Sequence, residues 1–109
     1  MSTRLECRIE SGQPGEPRVV SIRGEVDLAT APELESFVVR ALEESPGTLV
    51  LDLEELSFID SSGLRVLVAV SRDARSRGVA IQLRNVPRHA QRVLDLTGLS
   101  DWFDHAADS

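Results

Sequence analysis

Leu49-Val50-Leu51-Asp52-Leu53, then Glu54-Glu55-Leu56-Ser57-Phe58-Ile59, then Asp60-Ser61-Ser62-Gly63-Leu64, is the most informative run in this chain. Thr48 to Leu53 is apolar at nearly every position, as expected of a strand covered on both faces. Glu54 to Ile59 reads as a loop. Asp60 to Ser62 places three polar residues at the start of a helix that runs from about Ser61 to Arg77, where Gly78 stops it. Asp or Ser in that position often does no more than cap the helix. A cap needs only one side chain, however, and here three polar residues precede a glycine. Gly63 costs about 1 kcal/mol of helix propensity, and its missing side chain would leave the neighbouring hydroxyls open to approach.

The segments on either side complete an alternating pattern of strands and helices. Leu5, Cys7 and Ile9 alternate with charged residues, and Val20, Ile22, Gly24 and Val26 alternate with Ser21, Arg23 and Glu25. Both have the period of half-buried strands, and the Gly- and Pro-containing Ser11–Pro17 between them predicts an antiparallel pair. Leu34, Phe37, Val38, Ala41 and Leu42 form the stripe of an amphipathic helix. Thr30-Ala31-Pro32-Glu33 is its expected capping box and Ser45-Pro46-Gly47 its end. Val79, Ile81 and Leu83 predict the fourth strand. Pro87 opens a third helix, with Gly98 and Leu99 as a Schellman ending that packs on Leu94. The order β-β-α-β-α-β-α predicts an α/β class: one small domain with a mixed four-stranded sheet, a short fifth strand being left open, and helices packed on it. Its core is expected over about residues 4–99, followed by a short acidic tail over 100–109 on which Trp102 and Phe103 can dock.

Composition narrows the function. The chain has 109 residues, 41% hydrophobic and 28% charged, an ordinary globular balance. With three Phe, one Trp and no Tyr, it lacks aromatic platforms for sugars or bases. Twelve basic against 18 acidic residues give a net charge of −6, which repels a phosphate backbone and argues against nucleic acid as a partner. Every basic residue is Arg, so there is no P-loop or Schiff-base lysine. The single cysteine, Cys7, cannot form an internal disulfide. No apolar run approaches the ~18 to 20 residues needed to cross a bilayer, and no apolar signal core follows Met1 to Arg4. The chain is therefore expected to be cytoplasmic and not to bind membranes.

Three segments together carry a family resemblance. Gly24-Glu25-Val26-Asp27-Leu28-Ala29-Thr30-Ala31-Pro32-Glu33-Leu34, then Leu51-Asp52-Leu53 with Phe58-Ile59-Asp60-Ser61-Ser62-Gly63-Leu64, and finally Val93-Leu94-Asp95-Leu96-Thr97-Gly98-Leu99 resemble the STAS domain of bacterial anti-sigma factor antagonists. The match in order and spacing spans roughly residues 4–99. It implies a regulatory protein that binds an anti-sigma factor and frees a sigma factor for transcription. It also implies phosphorylation of Ser62 by that partner, which doubles as a serine kinase and carries ATP and magnesium in its own site. The chain itself is then expected to hold no cofactor and no metal, and a serine phosphatase would restore it. Many family members continue with a further short strand and a final helix, where this chain has only Asp101–Ser109. A STAS accessory subunit of a transporter, without sigma-factor linkage, is the alternative.

The same resemblance puts Asp60 and Ser61 on the recognition surface and the Glu25–Asp27 loop near it. The residues themselves extend that surface. Leu64, Leu67 and Val68 make one apolar face of the second helix while Val66 and Val70 make another, and a sheet can cover only one. An exposed strip containing Val66 and Val70 would suit a protein partner. The expected partner-binding set is thus Asp60, Ser61, Gly63, Leu64, Val66, Val70, Glu25 and Asp27. A phosphate on Ser62 would sit where helix N–H groups can receive it. A hydrolase would need Ser62 together with His89 or His105, yet Ile59 stands where a nucleophile elbow has its first glycine. No enzymatic activity is expected.

Overall fold

The computed structural model describes residues 4–10, 17–44, 47–100 and 103–105. Leu5–Glu10 (β1) and Arg18–Val26 (β2) pair antiparallel as expected, with Leu5 opposite Gly24 and Glu10 opposite Val19. Ala31–Glu43 (α1) buries Leu34, Val38, Ala41 and Leu42, with Phe37 packed at the margin. Glu44 caps its C-terminal end, and Ser45-Pro46 lies outside the described residues.

The start of α1 differs from the expected capping box. Thr30 stands at the N-cap position but makes no side-chain capping bond. Its buried hydroxyl donates to the Glu25 carbonyl at 2.8 Å and accepts from Asp27 N–H at 3.0 Å. Asp27 Oδ1 accepts from the Ala29 and Thr30 amides at 2.9 and 3.1 Å. With the Thr30 amide already bound, Glu33 has no donor to reach back to, and Asp27 holds the turn instead.

Thr48–Asp52 (β3) is buried from Leu49 onward and runs parallel to the first half of β2, with Val20 opposite Leu51. The expected loop after it contains a further strand. Leu56–Ile59 (β4) pairs parallel with the second half of β2, Val26 opposite Ile59. β3 and β4 therefore lie head to tail along the same strand, separated by a turn in which Leu56 N–H donates to the Leu53 carbonyl at 3.1 Å. The β2 register shifts between Gly24 and Glu25 to accommodate the change of partner. Gly24 has φ of +105°, and a Cβ on it would collide with the Arg4 carbonyl oxygen, so only glycine fits this bulge.

Ser61–Ser76 (α2) follows, with Arg77 as its C-cap and Gly78 at φ +74° beyond it. Ala80–Arg84 (β5) pairs parallel with β3. Arg88–Thr97 (α3) ends as the sequence predicts: Gly98 has φ of +73°, Gly98 N–H donates to Asp95 at 3.2 Å, and Leu99 N–H donates to Leu94 at 2.9 Å. Asp104–His105 (β6) adds parallel to β5 at the far edge. Phe103 is buried in the core; Trp102 lies outside the described residues.

The sheet order is β1-β2-β3-β5-β6, with β4 also paired to β2. This is the small α/β arrangement with a mixed sheet that the order of elements predicts, extended by the two short strands β4 and β6. α1 and α2 pack on each other and form one apolar cluster with Leu5, Val20, Ile22, Leu49, Leu51, Ile81 and Leu83 of the sheet.

Candidate functional site

Because β2 and β4 are parallel neighbours, both chains leave the sheet at the same end. Asp60 N–H donates to the Val26 carbonyl at 3.2 Å, which brings the start of α2 beside the turn that follows β2. Asp60 is extended and caps the helix: its Oδ1 accepts from Ser62 N–H at 2.8 Å and from Gly63 N–H at 3.3 Å. Ser61 is exposed and Ser62 half-buried in the first turn. The Ser62 and Gly63 amides expected to receive a phosphate on Ser62 are thus already held by the Asp60 carboxylate.

Three aspartates share this construction. Asp27, Asp52 and Asp60 each end a strand or follow its last residue, and each uses Oδ1 to accept the amide two residues on, the turn-forming habit of Asp. Two of them are closed by an arginine. Arg4 pairs with Asp27 Oδ2 and also stands 3.7 Å from Glu25. Arg84 donates to Asp52 Oδ2 from Nη2 at 2.8 Å and from Nε at 3.3 Å, while Asn85 donates to Oδ1 at 3.3 Å. Burial opposes ionisation of Asp52, but the donors from Arg84, Glu54 N–H and Asn85 outweigh it and hold the carboxyl below the usual carboxylate range. Asp60 has no ion-pair partner among the described residues.

Part of the expected partner surface lies inside the protein. Gly63 is buried: a Cβ on it would stand 2.5 Å from Ile59 Cγ1 and 2.8 Å from Val26 Cγ1. Its glycine lets the first turn of α2 settle on the ends of β2 and β4, and does not serve to expose the serines. Leu64 is buried as well, and Val66 and Val70 are only 8% and 1% exposed. The exposed apolar strip is therefore absent: α1 packs along α2, and Val66 and Val70 belong to the one apolar core they form with the sheet. Glu25 and Asp27 are at the expected place but already engaged by Arg4.

Two residues at the same end of the sheet escape the sequence reading. Leu28 is 80% exposed in the turn after β2, and Phe58 is 45% exposed on β4, opposite Glu25. An apolar residue inside a turn, and a Phe that breaks the alternation of its strand, are the signals that point to them. Elsewhere, His89 Nε2 donates to the Leu56 carbonyl at 3.0 Å and ties α3 to β4. His105 belongs to β6. Burial and the nearby Glu33 charge push the Cys7 thiol up to about 11, which leaves it a poor nucleophile at neutral pH.

Comparison with known proteins converges on one family. The sequence profile described as STAS domain matches residues 8–109. The chain is 36% identical over 90 residues to the anti-sigma-B factor antagonist of Bacillus subtilis (strain 168), the match covering 83% of this chain and 82% of that protein. It is also 36% identical over 87 residues to the anti-sigma-F factor antagonist RsfB of Mycobacterium tuberculosis (strain ATCC 25618 / H37Rv), covering 78% and 69% of the two chains. Its fold superposes on the crystal structure of an anti-sigma factor antagonist from Mycobacterium paratuberculosis with a TM-score of 0.77 and 31% identity, over 94% of this chain and 86% of that one.

Proposed function

The chain belongs to the STAS domain family, and on that premise we propose that it is an anti-sigma factor antagonist, binding an anti-sigma factor through the end of the sheet where β2 and β4 meet α2. The observation that carries this reading is the placement of Ser62. Its hydroxyl lies in the first turn of α2, without a hydrogen-bond partner among the described residues, and exposed Ser61, Leu28 and Phe58 belong to the same end of the sheet. Leu28 and Phe58 supply apolar anchors of the kind that carry binding energy at protein interfaces. Asp60 Oδ1 is occupied by the helix amides, and no hydrogen bond joins the Asp60 carboxylate to the Ser62 hydroxyl. A serine hydroxyl is a poor nucleophile without a base, so on this reading the proton acceptor, ATP and magnesium come from a kinase, a role the partner itself fills.

The chain would then act as a switch. Unphosphorylated, it holds the anti-sigma factor and a sigma factor is free; phosphorylated on Ser62, it lets go, and a serine phosphatase resets it. Phosphate adds about −1.5 to −2 charges beside Asp60, whose carboxylate makes no ion pair among the described residues. Against a partner carboxylate within ~4 Å, each new like-charge pair costs about 1 to 4 kcal/mol. No described helix is long and apolar enough to cross a membrane, which is consistent with a partner in the cytoplasm.

The test is capture of partners from the native cell with the tagged chain, with and without ATP, read by intact mass. A stable complex with an anti-sigma factor, and one added phosphate on this chain when ATP is present, is the expected result. Capture of transporter components, with no phosphate added, would replace the sigma-factor reading with the accessory-subunit one.

A further inference from the structure

We propose that Arg65 is the counter-charge, within this chain, of a phosphate on Ser62. The proposal rests on Ser62 being the phosphoacceptor and adds what holds the modified side chain. The two amides nearest a phosphate in the first turn of α2 are engaged by Asp60 Oδ1, so the phosphate oxygens must find donors elsewhere. A helix advances about 100° per residue. Arg65 therefore stands one turn on, between the directions of Ser61 and Ser62. Side chains on a helix lean toward its N-terminus, which swings the guanidinium back over the serines. Residues three apart have Cβ atoms about 5–6 Å from one another, well within the reach of an arginine.

Arg65 is also at liberty to do this. It is exposed and makes no ion pair with any described residue, in contrast to Arg77 at the other end of the helix, which pairs with Asp73 at 3.1 Å. Its planar fork of donors matches phosphate oxygens. Phosphorylation thus changes the partner-facing corner twice: it adds negative charge beside Asp60, and it withdraws an exposed cation from the surface.

The experiment uses the full chain with phosphoserine installed at position 62 during translation, so that no kinase is required, and follows the phosphate by ³¹P NMR titration at low salt. The second phosphate ionisation ordinarily falls near pH 6. A neighbouring guanidinium favours the dianion, so Arg65→Gln should raise the phosphate pKa by about half a unit relative to the unsubstituted phosphoprotein, and Arg65→Lys should restore most of the difference. Equal pKa values for the unsubstituted chain and Arg65→Gln would overturn the proposal. So would loss of the Asp60 cap on ionisation, seen as large shifts of the Ser62 and Gly63 amide protons, because the helix amides would then be the phosphate's donors. Absence of a kinase partner in cells would defeat the functional reading but leave this titration untouched, and a null titration would leave Ser62 as the acceptor.

Discussion

Asp52 and Asp60 end the two strand segments that run head to tail along β2, and both accept the amide two residues ahead, at 3.0 Å from Glu54 and 2.8 Å from Ser62. From there they diverge. The Asp52 carboxylate is buried, takes two further donors from Arg84 and one from Asn85, and locks the end of β3 to β5. The Asp60 carboxylate is half-buried, takes only the helix amides among the described residues, and stands beside two serines whose hydroxyls bond none of them. One local motif, an aspartate closing a turn, becomes a fastening where an arginine completes it and, on the proposed function, a responsive corner where the carboxylate makes no ion pair among the described residues.

Substitution at the two aspartates should separate these roles most sharply. Asp52→Ala takes from the largely covered Arg84 guanidinium its nearest carboxylate, leaving Glu10 at 3.8 Å, and should cost about 3 kcal/mol of stability in urea unfolding. A loss below about 1 kcal/mol would mean that Asp52 is no fastening. Acid titration sharpens the point. The folded pKa of Asp52 lies below the usual value, so its stabilisation is present above the ordinary carboxylate range and is lost as pH falls through the lower folded value. Asp52→Asn should therefore flatten the fall in stability below about pH 4; curves that run parallel to the unsubstituted chain would contradict it.

Gly63→Ala tests the packing under the responsive corner. The new methyl meets Ile59 and Val26, so about 2 kcal/mol of destabilisation is expected, with the fold retained in circular dichroism. A neutral effect would return Gly63 to the surface role that the sequence alone suggests. Asp60→Ala removes one helix cap and should cost about 1 kcal/mol, well under the cost at Asp52. Ser62→Ala should change stability by no more than about 0.5 kcal/mol, since its hydroxyl bonds nothing in the described structure.

The contrast between the two corners also marks what sequence can show. Alternating Leu5, Cys7 and Ile9, the apolar run at Leu49–Leu53 and the Gly98–Leu99 ending each express a local rule that the fold obeys. β4 was hidden because Leu56 and Ile59 are buried three residues apart with Ser57 and Phe58 exposed between them, a pattern that mimics a loop. Thr30 and Glu33 spell a capping box, but Asp27, upstream and across a turn, takes the amide the box needs. Val66 and Val70 show an apolar face without showing what covers it; that is a property of the packing between elements, and no periodicity within α2 contains it. Ser61 and Ser62 were singled out through the family resemblance, whereas the exposure of Leu28 and Phe58 at the same end required knowing which strand ends meet.

The most direct test of the switch at Ser62 is calorimetric titration of the captured anti-sigma factor with the unsubstituted chain, Ser62→Ala and Ser62→Asp, accompanied by mapping of the phosphate after incubation with ATP. Ser62→Ala should bind like the unsubstituted chain and accept no phosphate. Ser62→Asp should bind about ten- to a thousandfold more weakly, the range that about 1 to 4 kcal/mol of repulsion implies. Equal affinities for Ser62→Ala and Ser62→Asp, or a phosphate mapped to Ser61, would contradict the account.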